Sequence, residues 1–369
     1  MIKKEKKERI PFKMQDFIRI SRYAGMRNDL AQAGGGNTSM KVDDNIMLVK
    51  SSGFQLADVD EQTGYSKVDY RKIVEYFKEN VAGQKEDVFT EEIGKQLLQD
   101  VHIEGGRASI ETFLHAITGK YTLHSHPTLV NILTARVDGM EILHKLFPKA
   151  VLVPYRKPGA ALAETYYKLF QEQAEQGADG NMVFMANHGL VISGDNAEQV
   201  IEKTEEVLAK IAEYLQIDDS AYTAATDLYM TMQQIELLAD KIVYVSENRY
   251  LSQNFAGKAL VEKGQWEHAF CPDCVVYANK KILCLKEQYT KKDILDFIGQ
   301  YGIPALVYLN GHFYILAESV KKAQEIENVM SFAARVQYYN IGQEMNYLNN
   351  EQEEELLNWD SEKYRRMMK

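Results

Sequence analysis

Several things are scarce or missing in this 369-residue chain. Cysteine occurs only three times, too few for a disulfide framework at this length. No apolar run approaches the roughly 18 residues of a membrane-spanning helix. The basic start, MIKKEKKERIPF, is not followed by the apolar stretch of a secretion signal. Basic side chains are not in excess either. Lys and Arg number 43 against 53 Asp and Glu, a net charge of -10, which argues against a nucleic-acid partner, because phosphates select a basic face. There is no internal repeat and no low-complexity linker. These absences predict a soluble, cytoplasmic protein with neither a membrane nor a nucleic acid as partner. What is present is a globular composition, 45% hydrophobic and 26% charged, in a chain long enough for two domains.

Hydrophobic periodicity predicts the organisation. Phe17, Ile18, Ile20, Tyr23, Ala24 and Leu30 recur at helical spacing over 15–31, and the cluster Gly34-Gly35-Gly36 ends that helix. Strands over 39–42 and 46–49 flank Asp43-Asp44-Asn45, a hairpin signature. Helices are predicted over 68–78, 109–117, from 130, 162–176 and 196–217, with strands over 121–124, 151–153 and 182–186. Residues 1–240 therefore read as one α/β domain. After a helix over 227–244, residues 241–369 read as a small α+β domain. Its hairpins are predicted across Asn279-Lys280-Lys281 and across Asn310-Gly311, the stronger signal. Helices over 294–301 and 320–339 and an acidic helical tail over 351–368 complete it.

Three constellations carry chemistry. In Tyr121-Thr-Leu-His124-Ser-His126-Pro127, two imidazoles two residues apart on extended backbone point to one side and can grip one metal ion. A third, His188, follows the apolar strand 182–186 in Asn187-His188-Gly189. Three His ligands with an open position are the catalytic zinc pattern. The second constellation is Gly34-Gly35-Gly36-Asn37-Thr38-Ser39, whose glycines permit close approach of an anion and whose Asn, Thr and Ser supply donors. Its partner turn is Lys50-Ser51-Ser52-Gly53, where Lys50 can add charge. The third is Arg107-Ala-Ser109-Ile110-Glu111-Thr-Phe-Leu-His115. Ser109 reads as a helix N-cap. Glu111 is either a carboxylate favoured by the helix dipole or a general acid/base beside the metal. His115, one turn later, reads as a packed residue rather than a ligand.

The order GGGNTS, VKSSG, SIETFLH, HSHP and ANHG resembles the class II aldolase/adducin family over about the first 240 residues. That family includes fuculose- and rhamnulose-phosphate aldolases, ribulose-phosphate 4-epimerase and methylthioribulose-phosphate dehydratase. The set is most similar to the aldolase portion of bifunctional rhamnulose-phosphate aldolase/dehydrogenase-like proteins, although no Gly-x-Gly-x-x-Gly motif follows residue 240. The resemblance implies a three-layer α/β/α sandwich around a mostly antiparallel central sheet. It implies Zn²⁺, or another divalent metal such as Mn²⁺ or Co²⁺, on His124, His126 and His188, with Glu111 as acid/base. It implies a phosphate pocket from Gly36, Asn37, Ser52, Gly53 and Ser109. The implied reaction cleaves or forms a C–C bond in a phosphorylated ketose through a metal-stabilised enediolate. The implied assembly is a homo-oligomer such as a tetramer, in which a Tyr from a neighbouring subunit supplies a second acid. Same-fold epimerase or dehydratase activity, and a non-catalytic adducin-like scaffold, are the alternatives.

The chain departs from the family pattern at two points. Ile110 stands where simple members carry a second Ser before the Glu, and Lys50-Ser51-Ser52-Gly53 replaces Thr-Pro-Ser-Gly. One phosphate donor is lost and one cation is gained. Elsewhere, Cys271, Cys274 and Cys284 read as core residues rather than a zinc knuckle with His268. The Met, Tyr and Leu stripe over 320–348 reads as core or interface. Gln352, Glu353, Glu354 and Glu355 read as a solvated face.

Overall fold

The computed structural model describes residues 12–174, 177–252, 254–256, 261, 269–278 and 281–358. Two compact units divide after Asp218, whereas the sequence pattern placed the change near residue 240.

The first unit is organised by an eight-stranded sheet. In chain order its elements are α1 (Phe12–Gly25), β1 (Asn37–Lys41), β2 (Ile46–Lys50), β3 (Tyr65–Asp69), α2 (Tyr70–Tyr76), α3 (Glu91–Val101), β4 (His102–Gly105), α4 (Thr112–Ala116) and β5 (Tyr121–Ser125). There follow α5 (Thr128–Thr134), α6 (Gly139–Leu146), β6 (Ala150–Val153), α7 (Ala160–Ala174), β7 (Asp179–Met185), β8 (Gly189–Gly194) and α8 (Ala197–Leu215). The strand order is β4-β3-β2-β1-β5-β8-β7-β6. Every neighbouring pair is antiparallel except β6 with β7.

Alternation along the strands assigns the two faces. Met47 and Val49 of β2, Val68 of β3 and Val191 of β8 join Ile73, Phe113, Leu114, Leu162 and Tyr166 of α2, α4 and α7 in one core cluster. On the other face α1, α5 and α8 pack on β1, β5 and β8. α8 shows why its sequence forms this element. Asn196 accepts from the Gln199 N–H as N-cap, and Val200, Ile201, Thr204, Val207, Leu208 and Ile211 line one buried stripe. Helices on both faces of a mostly antiparallel sheet are the expected three-layer arrangement.

The second unit holds α9 (Ser220–Met232), β9 (Ile242–Val245), α10 (Pro272–Ala278), β10 (Leu283–Cys284), α11 (Lys291–Tyr301), β11 (Leu306–Leu309), β12 (His312–Ala317), α12 (Val320–Tyr339) and α13 (Asn350–Asn358). Its sheet runs β10-β11-β12-β9. The Asn310-Gly311 hairpin forms, with both turn residues at positive φ, 50° and 85°. The helix predicted over 227–244 ends earlier, and its last residues become β9, because Ile242–Val245 pair with β12. The first predicted hairpin of this unit does not form. Residues before 279 make helix α10, and β10 pairs in parallel with β11. A short apolar run does not by itself distinguish strand from buried helix. Glu353 is not solvated: it is buried and accepts from the Ala269 N–H at 3.1 Å. His268 and residues 359–368 of the predicted tail lie outside the described residues. No described helix is long and apolar enough to cross a membrane.

Candidate metal and acid/base site

β5 carries His124 toward the face covered by α4. Its antiparallel partners are Asn37 on β1 and Val191 on β8, and Val191 belongs to the core under α4 and α7. Beyond the strand, His126 is held by its backbone: its N–H donates to Leu30 O at 2.8 Å, and the Thr128 N–H donates to Asp29 O at 2.8 Å. The segment after α1 therefore fastens the end of the His-Ser-His strand. His188 sits in the tight turn between β7 and β8, after Asn187 at φ 54°. A Cβ at Gly189 would lie 2.3 Å from Ser125 O, so only glycine lets this turn reach β5. A Cβ at Gly35 would lie 2.9 Å from His126 Nδ1, and the glycine turn thus lies directly against the second imidazole.

The three rings converge. Centroid separations are 5.0 Å for His124–His126, 4.8 Å for His124–His188 and 5.1 Å for His126–His188. One ring nitrogen from each can be chosen so that all lie within 4.8 Å of one another. Glu111, at the entrance to α4, reaches across to two of them. Oε2 is 3.1 Å from His124 Nδ1 and Oε1 is 3.6 Å from His188 Nε2. A carboxylate on Nδ1 fixes that nitrogen as the protonated one and leaves Nε2 its lone pair.

Buried polar atoms ordinarily find partners. Here His124 Nε2, His126 Nε2 and His188 Nδ1 are buried without a hydrogen-bond partner. Burial lowers His126 to about 4, with the neighbouring imidazoles His124 and His188 adding to it. Burial likewise lowers His188 to about 4, helped by His124. Both are neutral at pH 7, the state in which imidazole ligates metal. For Glu111, burial pushes the carboxyl up, but His124 and its hydrogen bond, with His188 and His115, outweigh it and hold it below its usual range. Three converging imidazoles with orphaned nitrogens beside an ionised carboxylate are a donor set that can hold a divalent cation.

The remaining predicted site residues separate into two groups. Gly36 and Asn37 enter β1 opposite His124. Lys50 is buried, and Nζ donates to Gly34 O at 3.2 Å and Gly36 O at 3.3 Å. The Ser52 N–H donates to Arg107 O at 2.9 Å, which sets the Ser52-Gly53 turn beside the segment bearing Ser109 and Glu111. These residues are brought together. Thr38 and Ser39 are not free to serve a ligand through their hydroxyls. Thr38 pairs with Leu123 and its Oγ1 is 2.6 Å from Ser21 Oγ of α1, on the opposite face from His124. Ser39 Oγ shares a 2.8 Å hydrogen bond with His115 Nδ1.

Ser109 is not the N-cap of α4. That position is Glu111, and Ser109 Oγ instead accepts from the Glu111 N–H at 3.3 Å, while Ser109 O accepts from Thr112. The Thr112 N–H donates to Ser109 O at 3.0 Å and closes a turn over Ser109–Thr112, so the helix begins only after Glu111. His115 is fully buried, as its helical spacing predicted.

A buried charge cluster was not anticipated. Arg27, fully buried, holds Asp29 through Nε at 3.0 Å and Nη2 at 2.6 Å, and also binds Glu205 of α8. Tyr23 OH donates to the same Glu205. This fork fixes the segment whose carbonyls hold His126 and Thr128. The only trace in the sequence is a charged pair, Arg27 and Asp29, interrupting the apolar pattern where α1 ends.

Residues 15–215, more than half the chain, match the family described as Class II Aldolase and Adducin N-terminal domain. A curated relative from Bacillus subtilis (strain 168), named Uncharacterized oxidoreductase YuxG, is 27% identical over 316 residues. That match covers 82% of this chain but only 40% of the relative, so the chain spans about two fifths of that protein's length. Among solved structures, the N-terminal class II aldolase domain of a conserved protein from Thermoplasma acidophilum aligns with a TM-score of 0.47 and 23% identity, covering 58% of this chain and 99% of that one. An L-fuculose-1-phosphate aldolase from Thermus thermophilus aligns with a TM-score of 0.34 and 15% identity, covering 60% and 98%. By the family match over residues 15–215, the chain belongs to the class II aldolase and adducin N-terminal domain family.

Proposed function

We propose that this protein is a divalent-metal-dependent aldehyde-lyase that cleaves or forms a C–C bond in a ketose, preferentially a phosphorylated one. The observation that carries the reading is the convergence of His124, His126 and His188, with orphaned buried ring nitrogens, on a site that Glu111 borders at 3.1 and 3.6 Å. His124, His126 and His188 would hold Zn²⁺, Mn²⁺ or Co²⁺, which supplies Lewis-acid stabilisation of negative charge on neighbouring substrate oxygens. Glu111, kept ionised, takes and returns the proton at the substrate carbon beside the carbonyl. Its backbone is fixed by the Ser109 turn, so the carboxylate arrives oriented. The Gly36-Asn37 and Ser52-Gly53 turns and Ser109 offer donors for a phosphate, and the Lys50 ammonium adds a charge that Glu111 partly offsets. Family precedent supports a homo-oligomer, a tetramer, in which a neighbouring copy's Tyr protonates the leaving oxygen.

An epimerase or dehydratase would use the same proton transfer, and the products separate them. An adducin-like scaffold has no need of three converging imidazoles. The oxidoreductase in the name of the Bacillus subtilis relative describes a protein of which this chain covers two fifths. No Gly-x-Gly-x-x-Gly motif follows residue 240 to support carrying that activity over. The test is a panel of ketose 1-phosphates and their unphosphorylated counterparts, incubated with metal-loaded protein and analysed for aldehyde release. Aldehyde from at least one ketose supports the lyase. Isomerised or dehydrated product without aldehyde replaces it with an alternative.

A further inference from the structure

The second unit carries a pair of thiols that the proposed reaction does not use. Cys271-Pro272-Asp273-Cys274 has Cys-x-x-Cys spacing across the start of α10, where Pro at the first helical position suits the turn. The two Sγ atoms are 3.3 Å apart. A disulfide needs about 2.05 Å, so bond formation requires a shift of little more than an ångström. The backbone on both sides is anchored. Ala269 is bonded through its N–H to Glu353 and through its carbonyl to the Leu348 N–H, and α10 packs on α12 and α13.

The two sulfurs are not equivalent. Cys271 is half-buried and Cys274 is buried, with 6% of its surface exposed. Burial and the neighbouring Cys271 push the Cys274 thiol well above its usual range. Cys271 is therefore the thiol an incoming reagent meets first, and Cys274 stands behind it. A groove of about 340 Å³ lined by Pro272, Leu348, Gln352, Glu355 and Leu356 adjoins this position. It is large enough for a small organic molecule, and Glu355 disfavours an anionic one. No third His, Cys, Asp or Glu joins the pair in a metal-binding cluster among the described residues.

We propose that Cys271 and Cys274 form a thiol–disulfide exchange site that reacts with small, uncharged disulfides. The Cys271 thiolate attacks one sulfur of the reagent, breaking its S–S bond and releasing one thiolate, so that a mixed disulfide stands on Cys271. Cys274 then gives its proton to solvent and attacks the Cys271 sulfur, expelling the second thiolate. The Cys271–Cys274 bond forms, the protein is oxidised by two electrons, and the reagent is reduced to two thiols.

The test uses the full-length chain with Cys284→Ser to remove the third, exposed thiol, and bis(2-hydroxyethyl) disulfide as reagent. Intact mass should fall by two hydrogens, peptide mapping should link Cys271 to Cys274, and dithiothreitol should restore both thiols. Adding Cys274→Ser should trap one reagent thiol on Cys271. Adding Cys271→Ser instead should leave Cys274 at least ~10-fold slower to react than Cys271 in the converse variant, since reaction follows thiolate fraction and access. Should the Cys274→Ser chain fail to fold, Cys274→Ala serves the same purpose. Two freely alkylated thiols after treatment, first attack at Cys274, or thiols shielded by a co-purifying metal ion would each overturn the proposal.

Discussion

Glu111→Gln removes one negative charge and leaves the side-chain volume almost unchanged. In the parent, Glu111 accepts from His124 Nδ1 at 3.1 Å, and its other oxygen lies 3.6 Å from His188 Nε2. The Gln amide oxygen can still accept from Nδ1–H, so His124 keeps the tautomer that leaves Nε2 free. The three ring positions depend on β5, the Leu30 carbonyl and the Gly189 turn rather than on the carboxylate. Metal affinity should consequently fall by no more than ~10-fold, the lower end for loss of a residue that orients a ligand. The proton carrier, by contrast, is gone. Loss of a positioned general base costs about 10²–10⁴ in rate, equivalent to about 3–5 kcal/mol in the barrier. The assay is single-turnover aldehyde release at saturating metal, alongside metal content after gel filtration. Turnover within about threefold of the parent would refute the reasoning, because proton transfer by Glu111 requires a far larger loss. Complete loss of metal in a folded variant would show instead that the carboxylate is needed to hold the imidazoles in place.

Other perturbations probe the neighbouring parts. His124→Ala should abolish stoichiometric metal binding and activity together; elemental analysis showing full zinc occupancy would exclude His124 as a ligand. Lys50→Met should raise KM for a phosphorylated ketose at least ~5-fold, the effect of losing a charge-assisted contact, and leave KM for the unphosphorylated counterpart unchanged. Equal increases would mean that the lysine acts only through the Gly34 and Gly36 carbonyls. The metal-free protein should also lose stability in acid. Burial holds His126 and His188 at about 4 and His115 at about 3, while unfolded His titrates near ~6.5. The unfolded chain therefore binds more protons in that interval. Stability is complete above about pH 6.5 and falls as the pH drops toward 4 and then 3. Urea midpoints measured from pH 7 to 4 should decline, and less steeply in His115→Gln; a flat profile would contradict neutral burial of these rings.

Much of this was legible in the primary structure. Alternation and 3.6-residue periodicity revealed α1, α8, α12 and the β11–β12 hairpin, because each buries one stripe or face and ends at strong local signals such as Asn196 or Asn310-Gly311. The candidate metal cluster was readable for the same local reason. The two-residue spacing of His124 and His126 on extended backbone and the place of His188 directly after an apolar strand need no distant partner to be noticed. Less of the second unit was readable. Ile242–Val245 became a strand and the residues before 279 a helix, as dictated by which neighbours offered them hydrogen bonds and apolar surface.

The sequence alone determined that three imidazoles, a carboxylate and two glycine-bearing turns exist in a fixed order, since residue type and short-range spacing need no partner. Tertiary structure decided which of them meet. Strand register turned Asn37 toward His124 and Thr38 away from it, because neighbouring residues on a strand face opposite sides. It gave the Ser39 hydroxyl to His115, and it buried Arg27 between Asp29 and Glu205, which lie far apart in the chain. Such pairings follow from how sheet and helices pack, and that packing brings together residues whose separation along the chain carries no local signal.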